Sequence, residues 1–338
     1  MLGILIAVLF AIATAVLTWP SFFRVEQTFP IVQIVAFRSL VAVAFAVGAV
    51  LMLLLAIARP LRGFALSMAL VAVIGTVGNG AIVMTRGTGT SELPAETATS
   101  VRVMTWNTAG EATDPVSVAQ TAVAMQADII SLPETTIESG EQIAVAMREL
   151  GRPMWAHHVE FSTGVDTWDA RSTTLLISPE LGEYSVIESS QDGSSNTGVL
   201  PSAVAMPIDG RGPIVVAVHA VAPREDDMEH WRTDLRWLAD QCATDNVIMA
   251  GDFNATIDHM ARLGLDGGTL GYCHDAASES GNGGVGTWTT DLPALAGAPI
   301  DHVLSTPSWK ATGSIVLRSL DGSGSDHRPL VVQLEPVG

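Results

Sequence analysis

Three long apolar segments occupy the first 85 residues and constrain the fold more than any other feature of the chain. Residues 1–19 contain no charged side chain, residues 40–58 are apolar throughout, and residues 64–84 are uncharged with scattered polar groups. Each segment is long enough to cross a hydrocarbon layer of about 30 Å as a helix. The first could instead be a secretory signal, but it lacks a basic start and two further apolar segments follow it. We therefore predict a membrane anchor of three transmembrane helices over residues 1–85.

Arginines in the short loops predict the orientation of this anchor. Arg59 and Arg62 lie between the second and third apolar segments, and basic residues near helix ends tend to stay in the cytoplasm. Arg24 and Arg38 flank the opposite loop and argue against this orientation, although Arg38 could extend to the membrane interface. The loops thus favour an extracytoplasmic location for the chain after the third segment.

A change of composition separates the anchor from the rest of the chain. Residues 86–100 are rich in Gly, Thr, Ser and Pro and lack apolar periodicity, which predicts a flexible linker. About 15 such residues reach roughly 20 Å. Residues 101–338 are therefore predicted to form an extracytoplasmic domain held close to the cytoplasmic membrane.

This outer domain is strongly acidic. Of the 17 basic and 35 acidic residues of the chain, five basic and three acidic ones lie in the first 96, which leaves 12 basic and 32 acidic residues and a net charge of −20 beyond. Proteins that grip nucleic acid usually present a basic surface to the phosphates. The composition therefore disfavours nucleic acid as a partner.

Cys242 and Cys273 are the two cysteines of the chain. In an extracytoplasmic domain they could form a disulfide, and two buried free thiols are the alternative. Their spacing matches no metal site. The predicted compartment slightly favours the disulfide.

Short β-branched segments alternate with helical patterns from residue 101 onward. Helices are predicted over residues 116–125, 141–150 and 226–242. Many strands with fewer helices in mixed order predict an α/β sandwich whose two sheets pack face to face beneath outer helices. The predicted strands cover residues 101–105, 128–132, 173–177, 199–206, 214–218, 247–250, 300–305 and 330–334.

Six short motifs place polar side chains at or near the ends of these strands. Asn107 and Glu134 each follow an apolar strand, and a carboxylate with an amide oxygen is a typical ligand set for Mg²⁺. Asp252 and Asn254 are separated by one residue, so an extended backbone would point both the same way and turn Phe253 into the core. Such a pair could orient water and hold a phosphoryl oxygen. The motifs are Thr105-Trp106-Asn107, Pro133-Glu134-Thr135, Val218-His219, Gly251-Asp252-Phe253-Asn254, Ile300-Asp301-His302 and Ser325-Asp326-His327-Arg328-Pro329.

Histidines and aspartates complete the candidate site. A lone histidine such as His219, at the end of an apolar run, is more often structural than catalytic. Asp301 could accept the proton of one ring nitrogen of His327, which would fix the tautomer and raise the basicity of the ring. Asp326 would then be free to face a metal ion. The histidines predicted to be structural are His157, His158, His259 and His302.

The motifs, their order and their flanking residues resemble the endonuclease/exonuclease/phosphatase superfamily, which includes deoxyribonuclease-like enzymes, inositol polyphosphate phosphatases and bacterial sphingomyelinases. The match spans residues 101–336. The resemblance implies a four-layer α/β/β/α sandwich. It also implies that Asn107, Glu134 and Asp326 bind Mg²⁺, with Mn²⁺ as the alternative cation.

The same resemblance assigns roles to five further residues. It implies that His219 contacts the phosphate and that Asp252 and Asn254 position the attacking water. Asp301 and His327 would form an acid–base pair. Whether Asp252 or His327 removes the proton of the water stays open.

The chain departs from the nuclease members at one position. Many of them carry Arg two residues after the metal-binding Glu, where this chain has Thr136. The anchor with an outward domain instead resembles bacterial membrane members of the superfamily, including VanJ-type proteins linked to glycopeptide resistance. This similarity implies a phosphorylated lipid or a lipid-linked envelope intermediate as the substrate.

We therefore expect a membrane-anchored, Mg²⁺-dependent phosphoesterase at the outer face of the cytoplasmic membrane. A cell-surface nuclease is the alternative enzyme. A catalytically inactive binding or sensory module on a membrane stalk is the alternative of another class, and the complete set of motif residues argues against it. The sequence does not indicate the lipid, the type of phosphate ester or the oligomeric state.

Overall fold

A group of apolar helices at the N-terminus carries a two-sheet domain. The computed structural model describes residues 2–89, 92–161, 169–187, 190 and 195–337. The helices that precede the domain are α1 (Leu2–Thr18), α2 (Ile31–Ala36), α3 (Arg38–Leu55) and α4 (Arg62–Arg86).

Two of these helices are long and apolar enough to cross a membrane. They are α3 and the segment Arg59–Arg86, which contains α4, and only 17% and 22% of an apolar 18-residue stretch of each is buried. Most of their apolar side chains therefore face outward, as lipid-facing helices require. The prediction of three transmembrane helices is not met by α1, which has 17 residues. That helix ends just before Trp19-Pro20, because proline lacks the amide proton that a continuing helix needs.

The described part of the outer domain forms twelve strands in two six-stranded sheets. The strands are β1 (Val101–Thr105), β2 (Ile129–Pro133), β3 (Trp155–Glu160), β4 (Ser172–Ile177), β5 (Tyr184–Val186), β6 (Ala203–Pro207), β7 (Ile214–His219), β8 (Val247–Asp252), β9 (His274–Asp275), β10 (Asp301–Ser305), β11 (Trp309–Val316) and β12 (Leu330–Pro336). The sheet orders are β11-β12-β1-β2-β4-β3 and β5-β6-β7-β8-β10-β9. In the first sheet β1 is parallel to β2, and in the second β7 is parallel to β8.

Side chains that alternate along the central strands bury both faces of each sheet. Val103 of β1 and Ile248 of β8 lie between the sheets. Met104 faces the other way, with the buried side chains of α5 (Pro115–Ala124) and α6 (Ile137–Glu149). Met249 likewise packs with α7 (Met228–Gln241). Two short helices, α8 (Ile257–Met260) and α9 (Ala276–Glu279), complete the domain. The predicted two-sheet α/β sandwich is confirmed.

The strands that sequence patterns do not predict lie mostly at the sheet edges. β3 and β11 consist largely of partly or fully exposed residues, so neither presents a continuous apolar run. The predicted strand over residues 199–206 begins only at Ala203, because Pro201 cannot donate a hydrogen bond to a ladder.

A buried carboxylate joins the outer domain to the ends of the apolar helices. The Nε and Nη2 atoms of Arg38 each donate to Asp258 at 2.6 Å, and Arg86 donates to the same carboxylate at 2.7 and 2.8 Å. Arg38 also donates to Asn79 and to the Thr18 carbonyl, so the ends of α1, α3 and α4 converge at this point. Burial by itself would raise the pKa of Asp258, but hydrogen bonds from Arg86 and Arg38 hold it well below its usual range. Arg38 is therefore held within the protein by Asp258 and Asn79, whereas the sequence left its side chain free to extend along the helix end.

The segment between α1 and α3 also packs on the outer domain. His259 donates from Nε2 to the Val32 carbonyl at 2.9 Å, and Gln27 donates to the His259 carbonyl at 2.8 Å. Arg232 of α7 donates to the Gln27 carbonyl. Val32 is fully buried within the same core cluster as α7. The predicted structural role of His259 thus extends to holding the two parts of the chain together.

The described residues of the predicted linker make specific contacts. The Gly89 amide donates to the Gly281 carbonyl at 3.1 Å, and Arg102 donates to the Pro94 carbonyl at 2.7 Å. A Cβ at Gly87 would lie 2.1 Å from the Gly281 carbonyl group, so only glycine fits there. The glycines of this segment permit close packing, which composition alone does not distinguish from flexibility.

Cys242, which caps α7, forms a disulfide with Cys273. Their Cα atoms are 5.7 Å apart, and both residues are fully buried. The predicted pairing is confirmed.

Candidate active site

The candidate residues meet at one edge of the sandwich because of how the strands run. His219 ends β7 opposite Asp252, which ends β8, and Asp252 is in register with Asp301 at the start of antiparallel β10. In the other sheet Asn107 follows β1 and Glu134 follows β2, which is parallel to β1. Parallel strands end at the same edge, so side chains from four strand ends and one strand start converge.

Asn107 links the two sheets across this edge. Its Nδ2 atom donates to Glu134 Oε1 at 3.0 Å and to Asp252 Oδ2 at 3.2 Å. Its Oδ1 atom accepts the Ala109 amide at 3.0 Å, and an amide oxygen keeps a second lone pair for another partner.

Glu134 is held as a partly buried carboxylate beside other acids. Burial raises its pKa, a hydrogen bond from Asn107 and the charge of His327 oppose this, and the negative charges of Asp326 and Asp169 raise it further. Its backbone is left-handed, with φ 57°, a conformation that non-glycine residues keep mainly where surrounding structure enforces it. A cation would relieve the repulsion, so Asn107, Glu134 and Asp326 fit a metal ion that prefers oxygen ligands.

His327 lies between two buried aspartates. Its Nδ1 atom donates to Asp301 Oδ2 at 2.8 Å, and its Nε2 atom lies 3.8 Å from Asp252 Oδ2 and 4.0 Å from Asp326 Oδ1. Burial opposes the charged ring, but Asp301 and Asp252 outweigh it and raise the pKa of His327 to about 10. The structure thus brings together the predicted Asp301–His327 pair, with Nε2 as the atom that faces the other candidate residues.

Asp252 and Asn254 meet through a turn rather than along an extended strand. Asn254 has φ 46°, so the predicted extended backbone is wrong at this residue. Its backbone amide donates to Asp252 Oδ1 at 2.8 Å and its Nδ2 atom donates to Asp252 Oδ2 at 3.2 Å. Phe253 is fully buried as predicted. A Cβ at Gly251 would lie 2.0 Å from the Val218 carbonyl oxygen, which explains the glycine of this motif.

Burial, together with the nearby charge of Asp301, raises the pKa of Asp252 to about 7. Asp252, Asp301 and His327 also place potential metal-ligand atoms within 4.8 Å of one another. This buried group is a second place where a cation could bind, distinct from the three residues that the sequence predicts as ligands. In the structure its histidine already donates to one of the two aspartates.

His219 is buried beside this group. Its Nε2 atom lies 3.7 Å from Glu134 Oε1, and its backbone amide donates to Ser202. Burial, with a smaller effect of the charge of His327, lowers its pKa to about 3. Its Nδ1 atom has no hydrogen-bond partner within the described part of the chain. A neutral imidazole at this position can still donate a hydrogen bond to an anionic ligand.

Several residues that hold the site were not assigned a role from the sequence. Trp106 donates to the His327 carbonyl at 3.0 Å, and Ser325 donates to the Asn107 carbonyl while accepting the His327 amide. Both residues belong to the sequence motifs, so their position in the sequence could have indicated a role in the site. Trp288 donates from Nε1 to Asp326 Oδ2 at 2.8 Å, and no sequence pattern marks it.

The remaining histidines lie outside this constellation. His302 donates to Asp275 at 2.6 Å and to the Ala255 carbonyl at 2.8 Å, which confirms a structural role. His157 and His158 lie on β3, and burial lowers the pKa of each.

Residues 104–327 match the model of a protein family described as the Endonuclease/Exonuclease/phosphatase family. No curated protein matches the chain in sequence. Among solved structures, an endonuclease/exonuclease/phosphatase from Beutenbergia cavernae is 18% identical with a TM-score of 0.54, and the match covers 71% of this chain and 72% of that one.

Two structures of TDP2 from D. rerio share the same fold. A form humanized by 14 mutations is 14% identical with a TM-score of 0.52, covering 70% of this chain and 99% of that chain. A complex with a single-strand DNA product has the same identity and coverage and a TM-score of 0.50. At these identities the likeness concerns the fold.

The family match covers about two thirds of the chain and contains all eight candidate site residues. Members of this family act on phosphoric ester bonds with the help of a metal ion. The chain therefore belongs to the endonuclease/exonuclease/phosphatase family and is a metal-dependent hydrolase of phosphoric ester bonds.

Proposed function

We propose that this hydrolase acts on a phosphate ester or pyrophosphate of a lipid or lipid-linked envelope intermediate at the outer face of the cytoplasmic membrane. One observation carries the proposal. Phe37, the residue just before α3, contacts Trp288 with ring centroids 5.9 Å apart, and Trp288 donates to Asp326 of the candidate site. The candidate site therefore lies beside the ends of the apolar helices, where a lipid phosphate would be found.

Asn107, Glu134 and Asp326 would hold the metal ion, which we propose to be Mg²⁺ or Mn²⁺. When bound, a divalent cation neutralises charge that develops on the phosphoryl oxygens. We prefer this set to the buried group of Asp252, Asp301 and His327, because the raised pKa of His327 already balances those two acids with a proton.

The other site residues would bind and orient the reactants. Asp252 accepts hydrogen bonds from Asn107 and Asn254, so its carboxylate is fixed where it can orient the attacking water. His327 presents Nε2 to the same space and can exchange a proton with the water or the leaving group. His219 would donate a hydrogen bond to a phosphoryl oxygen. Such a site acts mainly by positioning and charge stabilisation.

The electrostatics of the domain favour this proposal over a nuclease. With a net charge of −20 beyond residue 96, the domain lacks the excess of basic residues that usually binds a polyanion. TDP2 binds a DNA product with the same fold, so the fold alone does not decide between the two substrates.

Two further observations support an extracytoplasmic location. Cys242 and Cys273 are joined in a disulfide, and disulfides persist mainly outside the cytoplasm. Arg38 and Arg86, which lie on the domain side of the helices, both pair with Asp258, which offsets one of their two charges. Arg59 and Arg62 at the opposite helix ends therefore still indicate the cytoplasmic side of the membrane. This arrangement is the one expected of VanJ-type members.

The proposal is tested by turnover of the full chain in lipid nanodiscs. A lipid monophosphate, a lipid pyrophosphate, a short-chain phosphate ester and single-stranded DNA are compared with Mg²⁺ and with a chelator. We expect Mg²⁺-dependent release of phosphate from a lipid substrate, and loss of that activity in Asp252→Asn. Rapid cleavage of DNA without action on any lipid phosphate would establish the nuclease instead. Absence of turnover on every substrate would favour the inactive module.

A further inference from the structure

A cleft of about 320 Å³ separates the membrane-proximal helix α2 from the rim of the candidate site. One wall comes from the end of the anchor and the other from loops of the outer domain. Gln33 and His259 contribute polar groups to its lining, and most of the other lining residues are apolar: Val32, Ala36, Phe37, Ala222, Pro223, Ala298 and Ile300. Neither the anchor nor the outer domain forms this cleft alone.

One end of the cleft opens on the candidate catalytic residues. Asn254, which donates to Asp252, and Trp288, which donates to Asp326, both line it. Arg224, an exposed side chain of an otherwise acidic domain, lies on its wall as well. The cleft is largely apolar, ends beside the candidate catalytic residues and carries one cationic side chain. These properties are complementary to an amphipathic phosphate rather than to a uniformly charged polymer.

The cleft lies at the level of the helix ends. Arg38 at the start of α3 and Arg86 at the end of α4 both donate to Asp258, and Arg38 also donates to the carbonyl of Thr18 at the end of α1. Residues 32–37, which form the anchor wall, immediately precede α3. If α3 crosses the membrane, its first residue stands at the lipid surface, and the cleft opens there.

We propose that this cleft binds the phosphate-proximal carbons of an apolar chain, so that the substrate is a lipid phosphate taken from the surrounding leaflet. The proposal rests on the function proposed above and adds a binding site to it. The phosphate lies beside Asn254 at the site end of the cleft, and Arg224 contacts an anionic oxygen that the catalytic residues leave free. Ligand pockets usually have volumes of roughly 300–1,000 Å³, so this cleft encloses only a short stretch of chain, and the rest stays in the bilayer.

It follows that the anchor is part of the substrate site as well as a tether. Phe37 contacts Trp288, and Ala36 lines the cleft. An outer domain without residues 31–37 would retain its candidate catalytic residues and lose one wall of this site.

Photo-crosslinking of the full chain in nanodiscs tests the site without turnover. The probe is a lipid monophosphate with a diazirine on the carbons nearest the phosphate, and the matched control carries the same diazirine under a neutral headgroup. We expect the phosphate probe to label residues 32–37 or 222–224 at least about fivefold more than the neutral probe. Equal labelling by both probes, spread over the outer faces of α3 and α4, would overturn the proposal.

A variant that fills the cleft provides the second test. Ala36→Trp should lower the ratio of kcat/KM for a long-chain phosphate to that for a short-chain phosphate at least about tenfold. Ala44→Trp, on an exposed face of α3 away from the cleft, should leave this ratio unchanged. An unchanged ratio in Ala36→Trp, with the wild type active on both esters, would overturn the cleft and leave the proposed function intact. Phosphate-dependent labelling without turnover of any ester would support the cleft and refute the proposed function.

Discussion

The outer domain should lose its fixed position on the apolar helices when Asp258 is replaced by alanine. Asp258 accepts four hydrogen bonds from Arg38 and Arg86, and its side chain is 9% exposed. The replacement would leave Arg38, 5% exposed, without its carboxylate partner. Removing one partner of a buried pair costs about 3–5 kcal/mol. At about 1.4 kcal/mol per factor of ten, the docked arrangement should weaken by roughly two to three and a half orders of magnitude.

Amide hydrogen exchange at the docking interface measures this effect. The Gly283 amide donates to the Arg86 carbonyl and the Gly89 amide to the Gly281 carbonyl, so both should exchange faster in Asp258→Ala. The matched control is Glu229→Ala, which also removes one carboxylate from an arginine pair. Glu229 is 74% exposed, and exposed pairs contribute about 0–1 kcal/mol. Equal exchange rates in the two variants would refute the reasoning.

The difference between Asp258→Ala and the wild type should also depend on pH. Arg86 and Arg38 hold the pKa of Asp258 below its ordinary value of 3.8. The carboxylate therefore contributes fully above that value, and its contribution falls as the pH drops toward the folded-state pKa. We expect the full difference at pH 7 and a smaller one below about pH 4. A difference that stays constant between pH 7 and pH 3 would indicate lost packing rather than lost charge.

Three further outcomes are expected. Asp252→Ala and His327→Ala should each lower kcat by about 10²–10⁴-fold with an unchanged circular dichroism spectrum, and near-normal turnover of either variant would remove its assigned role. Protease added to intact spheroplasts should cut the exposed residues 95–99, whereas protection until lysis would place the outer domain in the cytoplasm. The acidic surface should make the full chain cleave DNA at least about tenfold more slowly than a lipid phosphate at physiological salt, and the opposite order would favour the nuclease.

Local patterns in the sequence were sufficient for most of the outer domain. The apolar run that ends at His219 and the run before Asp252 are buried strands. Polar residues follow where each strand ends, so the motifs that contain His219 and Asp252 lie at the strand ends. Alternation along β1 and β8 requires a sandwich, because each strand buries side chains on both faces. The left-handed turn at Asn254 was missed because it depends on a single residue outside any periodic pattern.

Tertiary structure decided how the apolar helices and the site are related. Arg38 reads in the sequence as an interfacial charge, and its partner Asp258 lies 220 residues away. The contact of Phe37 with Trp288, and the cleft beside it, likewise join segments about 250 residues apart. Such contacts depend on shape and charge complementarity between two surfaces that come from distant segments of the chain. Hydrophobic periodicity records which face of an element is buried, but it does not record which distant element covers that face.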